Sequence, residues 1–193
     1  MQKIQLLPIF LVFLIFPLSV KAEPIQCALL PQIFMVYFKT HYAVKELSEE
    51  VKKHTADQYI KQIDPSKTLL MDSDVVQLKK DLPKVFDTVK TNDCAILDAT
   101  NALLLKRAEE SEKFVKATVT DSFKLDTTVE LQIEPDKRSF PKTTEERDAL
   151  WKKMIHFQMA NHELAQTKAP EARKQLIHRY ELLTKRMRER KLE

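Results

Sequence analysis

Not one of the 193 residues is glycine. Glycine is the residue that reaches positive φ without a steric penalty, so its absence closes off whole classes of local structure. Two-residue hairpins with primed turns become costly. The phosphate-cradling loop, the dinucleotide fingerprint and the Gly-x-Ser-x-Gly elbow disappear together, since each needs backbone that only glycine allows. What remains for a chain rich in Lys, Leu, Glu and Ala is helix. The expectation is an all-α, multi-helix bundle-like domain with at most one short strand or extended arm.

The first residues read as a leader rather than as structure. Lys3 provides a positive start, and Ile4 to Leu18 is almost wholly apolar. Val20-Lys21-Ala22 puts small residues where a signal peptidase cuts, so cleavage is expected between Ala22 and Glu23. Residues 1–22 are then a cleaved signal peptide and 23–193 an exported domain. A retained anchor is the rival reading, but the apolar run is short for a spanning helix and Pro8 and Pro17 interrupt it. Pro24-Ile25-Gln26 before Cys27 is not the small-residue pattern that precedes a lipidated cysteine. About 171 residues remain, enough for one domain with a core. Losing Lys3 and Lys21 takes the formal charge from +4 to about +2, too balanced to point to nucleic acid. Cys27 and Cys94 are the only cysteines. In an oxidising compartment they can pair, which the chain-entropy model values at about 4 kcal/mol; two separately buried thiols are the alternative.

Along the chain, Leu30, Ile33, Phe34, Tyr37 and His41 repeat at helical spacing and predict a core helix over 29–44, with Pro31 tolerated in its first turn. A second helix, 48–63, is expected to use Ser48 as its cap and Glu49 and Glu50 in its first turn. Asp64-Pro65 stops it, because Pro65 lacks the N–H that would continue the ladder. Leu69, Leu70 and Met71 form a short apolar plug. Asp72 or Ser73 is expected to cap a new helix, with Asp74 against its N-terminal dipole. Val75, Leu78, Leu82, Val85 or Phe86, and Val89 keep one apolar phase across Pro83, which predicts a single bent helix or a restart capped by Asp81.

Thr91-Asn92-Asp93 marks a turn. Leu97, Leu104, Ala108 and Val115 then stripe a long helix over 93–117. Thr127 to Glu134 alternates apolar and polar and is the only strand-like stretch, with no evident partner strand. After a linker through Lys142, Thr143 or Thr144 caps a helix whose face includes Leu150, Trp151, Met154, Ile155 and Phe157. The last helix opens after Ala169 with Pro170 at its first position and carries Leu176, Tyr180, Leu183 and Met187.

Four of these stretches, in this order, carry a resemblance. Cys27 with His41-Tyr42 comes first, then Asp64-Pro65, Lys67, Leu69-Leu70 and Ser73-Asp74. Ala149-Leu150-Trp151-Lys152 and Arg179-Tyr180 follow. Together they resemble the N-terminal helical domain of tail-specific proteases, the C-terminal processing serine peptidases of the bacterial periplasm. The likeness covers nearly all of the chain after the leader. It implies an exported, non-catalytic interaction module that binds a protease subunit, an adaptor or an unfolded exported chain. It also implies that the PDZ and Ser–Lys catalytic parts lie beyond Glu193. The alternative it leaves open is the N-terminal fragment of a C-terminal processing serine endopeptidase whose other parts are encoded separately or missing. His41 and Tyr42 are expected to serve packing, as Phe38 and Val44 beside them are apolar.

No reactive constellation stands beside that reading. The histidines His41, His54, His156, His162 and His178 lack zinc-ligand spacing, so neither a metal nor another cofactor is expected. The serines fall at predicted caps, turns or exposed helix positions. Ser66-Lys67 are adjacent, but in a turn with nothing to depress the lysine, so no catalytic residue is assigned. Lys185, Arg186, Arg188, Arg190 and Lys191 make the C-terminus basic. A solvated face complementing the helix dipole is the bland explanation, and a membrane surface or acidic partner the sharper one. The regular apolar stripes argue against a decaying remnant, which would have lost its periodicity.

Overall fold

The computed structural model describes residues 26–43 and 46–189. The cleavage position at Ala22 and Glu23, Val44 at the expected end of the first helix, and Arg190 and Lys191 of the basic tail lie outside the described residues. The architecture is all-α, with no strand among the described residues. Its helices are α1 (Leu30–Thr40), α2 (Glu49–Ile63), α3 (Asp72–Asp81), the single turn α4 (Val85–Thr88), α5 (Ala95–Thr118), α6 (Thr144–Leu164) and α7 (Ala169–Glu189). Short 3₁₀ turns fill Leu82–Lys84 and Val89–Thr91 on either side of α4.

Local chemistry sets most of these boundaries. Ser48 Oγ accepts the Val51 N–H at the start of α2, and Thr143 Oγ1 accepts the Glu146 N–H at the start of α6. The helical run from Asp72 to Thr91 bends where Pro83 forces a 3₁₀ turn, yet Val75, Leu78, Leu82, Val85 and Val89 all stay buried. Asp81 makes no side-chain cap; its carboxylate accepts from Lys84 and Gln77 instead. At α3 the cap position is Met71, not Asp72 or Ser73, and Asp74 supplies the side chain by accepting the Met71 N–H at 2.8 Å. The chain turns between α4 and α5 at Asn92, whose φ is 58°, and Asp93 accepts the Ala95 N–H.

Two apolar clusters result. One gathers Ile60 of α2, the Leu69-Leu70 plug, the bent run and Leu104 of α5; the other gathers Val115, Ile155, Met159 and Leu176 from α5, α6 and α7. α5, 24 residues and about 36 Å long, runs through both and acts as the spine. The C-terminal face differs from the expected stripe in one respect. Phe157 is 39% exposed, while His156 and Met159 take the buried positions of α6.

The largest correction concerns α1. It stops at Thr40 and contains no buried residue; Ile33 and Tyr37 are 45% and 51% exposed. Only Leu30 and Phe34 pack against the first cluster, which the bent run has already closed beneath them. Apolar periodicity identifies a face that can be buried, not one that has a partner. Tyr42, expected to pack, is 97% exposed; His41 packs locally, 4.9 Å from the Tyr37 ring. Cys27 and Cys94, whose pairing the sequence leaves open, are joined in the structure and close a separation of 67 residues. With so little burial, that bond is the firmest tie of α1 to the body. Reducing it should lower the unfolding free energy by about 2–4 kcal/mol and release α1, while the melting signal of the α5–α7 region persists. Chemical denaturation and hydrogen exchange with and without reductant would register this. Equal protection of α1 in both states would rule it out.

A second tie links α2 to α4. Lys52 Nζ lies 2.7 Å from Asp87 and 2.9 Å from Glu49, and Lys90 also reaches Asp87. The hydrogen bonds from Lys52 and then Lys90 hold the Asp87 carboxyl at about 2, below its ordinary 3.8. A carboxyl depressed on folding stabilises above its unfolded value, and that contribution is lost as pH falls toward the folded one. Between about pH 4 and pH 2, Asp87→Asn should therefore flatten the acid dependence of stability in parallel urea titrations.

Candidate functional site

The residues singled out around the Asp-Pro corner meet in space. Asp64 is 3% exposed, and its carboxylate accepts four hydrogen bonds. Oδ1 takes the Thr68 N–H at 3.0 Å and the Ser66 hydroxyl at 3.3 Å; Oδ2 takes the Leu69 and Leu70 N–H groups, each at 2.9 Å. Pro65 ends α2, and Lys67 turns the loop with φ 52°. The Lys67 ammonium donates to the Arg138 carbonyl at 2.9 Å, and Arg138 donates back to the Ser66 carbonyl. Trp151 of α6, 3% exposed, closes the loop from the far side by donating its indole N–H to the Thr68 carbonyl at 2.7 Å.

A chain of charges continues from the corner. Asp74 receives Arg107 of α5 through two hydrogen bonds, at 2.8 and 2.9 Å. Those bonds raise the guanidinium's proton affinity more than any other contact does. Arg107 also reaches Glu110, which accepts from Arg147 of α6 at 2.6 Å, and the Arg147 guanidinium lies 4.4 Å over the Trp151 ring. Corner, α3, α5 and α6 thus form a closed circuit, from Asp64 through Asp74, Arg107, Glu110, Arg147 and Trp151 back to Thr68. Sequence reasoning missed Arg107, Glu110, Arg138 and Arg147. An Arg and a Glu three residues apart on a helix look like an ordinary solvated face, and their cross-helix partners are invisible in one dimension.

The other singled-out residues do not join this circuit. Ser73 is exposed in the first turn of α3, and Leu150 is half-buried beside Trp151. Arg179 is exposed, whereas Tyr180 is half-buried, donates to Gln158 at 3.3 Å and has its phenol pushed up by burial. His41 and Tyr42 lie at the far end of α1.

Chemically, the circuit holds still rather than reacts. Asp74 and Glu110 are paired with Arg107 and Arg147, the Asp64 carboxylate is taken up by backbone N–H groups, and the Ser66 hydroxyl is engaged with Asp64 and Thr68. Lys67 is held by a backbone carbonyl and by the face of Phe140, 5.9 Å from the ring centre. Among the described residues no group of three His, Cys, Asp or Glu side chains could hold a metal ion.

The second feature is concave and apolar. Ile33, Phe34 and Tyr37 of α1, Val51 and His54 of α2, and Phe86 of α4 line a groove of about 530 Å³. Phe34 and Phe86 meet at its floor with ring centres 5.4 Å apart. Beside it α1 presents Met35, 66% exposed, and Val36, 61% exposed, to solvent.

The described residues thus form an all-helical domain with a buried hydrogen-bonded keystone at the Asp-Pro corner and an apolar groove between α1 and α2. The family model described as tail specific protease N-terminal domain matches residues 35–193, and the chain belongs to that family. One relative, the tail-specific protease of Haemophilus influenzae, is 21% identical over 154 residues. That match covers 79% of this chain but only 22% of the relative, so the chain spans less than a quarter of that protein's length.

If the keystone carries the fold, Asp64→Ala should be among the most damaging single changes. It strips the acceptor from three backbone N–H groups, each worth about 1–3 kcal/mol when buried and unpaired, so a loss above about 3 kcal/mol is expected. Trp151→Ala should cost a similar amount through cavity formation and loss of the Thr68 bond. Equilibrium unfolding in urea measures both, and a change below about 1 kcal/mol in either variant would remove that residue from the keystone.

Proposed function

We propose that this chain is an exported, non-catalytic docking domain of a periplasmic tail-specific protease system. It holds a protein partner (a protease subunit, an adaptor or an unfolded exported chain) on the α1–α2 groove and breaks no peptide bond itself. The observation that carries this reading is α1: an apolar helix with no buried residue, anchored by a disulfide beside a groove of about 530 Å³. An apolar surface of that kind is costly to leave in water and is the usual mark of a site for another protein. A disulfide in the described structure also suits an exported chain better than a cytosolic one.

The second reading is that this is the front portion of a C-terminal processing serine endopeptidase of the Ser–Lys type. It is favoured by the match to only 22% of the relative. The PDZ and catalytic parts would then act beside this domain, and the groove would serve the same docking purpose within a larger molecule.

The two readings share a test. Purified residues 23–193 should leave peptides with apolar C-termini intact over a long incubation, and cleavage by the pure domain would overturn the docking reading. Placing a photo-crosslinker at Val36 in the source cell should capture a protein. With the crosslinker kept at Val36, Ile33→Glu combined with Tyr37→Glu should lower that capture about tenfold or more without shifting the helical melt. Unchanged capture would mean that docking uses another surface.

A further inference from the structure

The segment between α5 and α6 has a property that the groove does not explain. From Val129 to Glu134 the backbone runs without turn or bend, and burial alternates as far as Gln132, with Val129 and Leu131 half-buried and Glu130 and Gln132 exposed; Ile133, 61% exposed, ends the alternation. It is strand-like in pattern, yet no strand among the described residues pairs with it. The N–H and C=O groups from Val129 to Ile133 make no hydrogen bond to any described residue.

The arm is also held in place at both ends. Upstream, the Asp126 N–H donates to His156 Nδ1 at 3.1 Å, Phe123 rests 5.1 Å from the same imidazole, and Leu125 packs against the second apolar cluster. Downstream, the Arg138 carbonyl accepts from Lys67 of the corner and its guanidinium donates to the Ser66 carbonyl, Phe140 packs on the first cluster, and the Pro141 carbonyl accepts the Asp72 N–H at 2.8 Å. A chain pinned on each side and unpaired between has already lost much of the conformational freedom that strand addition would otherwise cost.

We propose that this arm is a β-addition site, which captures an extended polypeptide segment by pairing backbone to backbone. The charge pattern specifies the occupant. From Asp126 to Asp136 the arm carries Asp126, Glu130, Glu134 and Asp136 and no basic residue. Glu134 is met by Lys137, but Glu130 is exposed and has no ionic partner among the described residues. The complementary strand places Lys or Arg opposite Glu130 and β-branched residues on the alternate positions, where Val129 and Leu131 line the opposite face. The occupant is therefore an unfolded segment with alternating basic and β-branched residues, and its capture is independent of what fills the α1–α2 groove.

A labelled synthetic peptide of sequence Val-Lys-Val-Arg-Val-Lys-Val, titrated with residues 23–193 and read by fluorescence anisotropy, tests this. Three results are expected: binding by the natural chain, binding about tenfold or more weaker in Glu130→Lys, and loss of binding when alternate peptide nitrogens are N-methylated. Leu131→Pro, checked by circular dichroism for an unchanged melt, should also weaken binding, since it removes a donor from the arm itself. Ile33→Glu should leave it unchanged. No binding, equal binding of the N-methylated peptide, or sensitivity to Ile33→Glu but not to Glu130→Lys would each overturn the proposal.

Discussion

The Asp64 carboxylate is the interaction on which the rest depends. The loop from Pro65 to Met71 must reverse the chain between α2 and α3 and also bury Leu69, Leu70 and Met71, which places backbone N–H groups where water cannot reach them. One ionised side chain accepts three of those groups, and bonds to a charged acceptor are about twice as strong as neutral ones. An asparagine could accept through only one oxygen, and an alanine through none. The loop satisfied in this way presents the Thr68 carbonyl to Trp151, and the start of α3 presents Asp74 to Arg107. Three helices from distant parts of the chain are registered against one turn. The ion pairs alone would be poor support, since desolvation cancels most of the gain from a half-buried pair. They matter because they join hydrogen bonds that are already fixed.

A chain without glycine has to find its left-handed residues elsewhere, and among the described residues it does so at Lys67, Asn92 and Gln166. Each carries a Cβ into a region that costs roughly 1 kcal/mol or more, so each must be compensated locally. At Gln166 the compensation is a helix C-terminal motif: the Thr167 N–H returns to the His162 carbonyl and the Gln166 N–H to the Glu163 carbonyl. At Asn92 it is the turn closed on Val89 and Thr88 before α5. At Lys67 it is the corner itself, where the strained residue also supplies the ammonium that grips the Arg138 carbonyl. The helical bias that follows from lacking glycine therefore has a counterpart in three strained turns, each placed where its neighbours can hold it.

Much of this was legible in one dimension because the governing physics is local. Ser48, Thr143 and the Asp64-Pro65 stop act within a few residues of themselves, and the stripe through Val75, Leu78, Leu82, Val85 and Val89 states its buried face directly. What escaped depends on pairing across the sequence. Arg107 and Arg147 read as solvated helix charges until α3 and α6 bring Asp74 and Trp151 beside them. The one-residue error at the cap of α3 has the same origin. Met71 is drawn into the core with Leu70, so Asp74 rather than Asp72 is left to take up the free N–H. α1 failed in the opposite sense, since its pattern was read correctly as apolar but the core had no room left for it.

α1 and the arm at 129–134 are alike in lying outside the closed circuit, and the contrast between them is physical. α1 has satisfied its backbone internally and leaves apolar side chains exposed; the arm has covered some of its apolar side chains and leaves its backbone from Val129 to Ile133 without a hydrogen bond to any described residue. Filling the first would be driven by loss of apolar surface, which is non-directional and tolerant of sequence. Filling the second would be driven by backbone hydrogen bonds, which fix direction and register while remaining nearly indifferent to side chains. A domain offering both would grip the folded and extended parts of a protein by separate means, against a frame that the Asp64 keystone prevents from yielding to either.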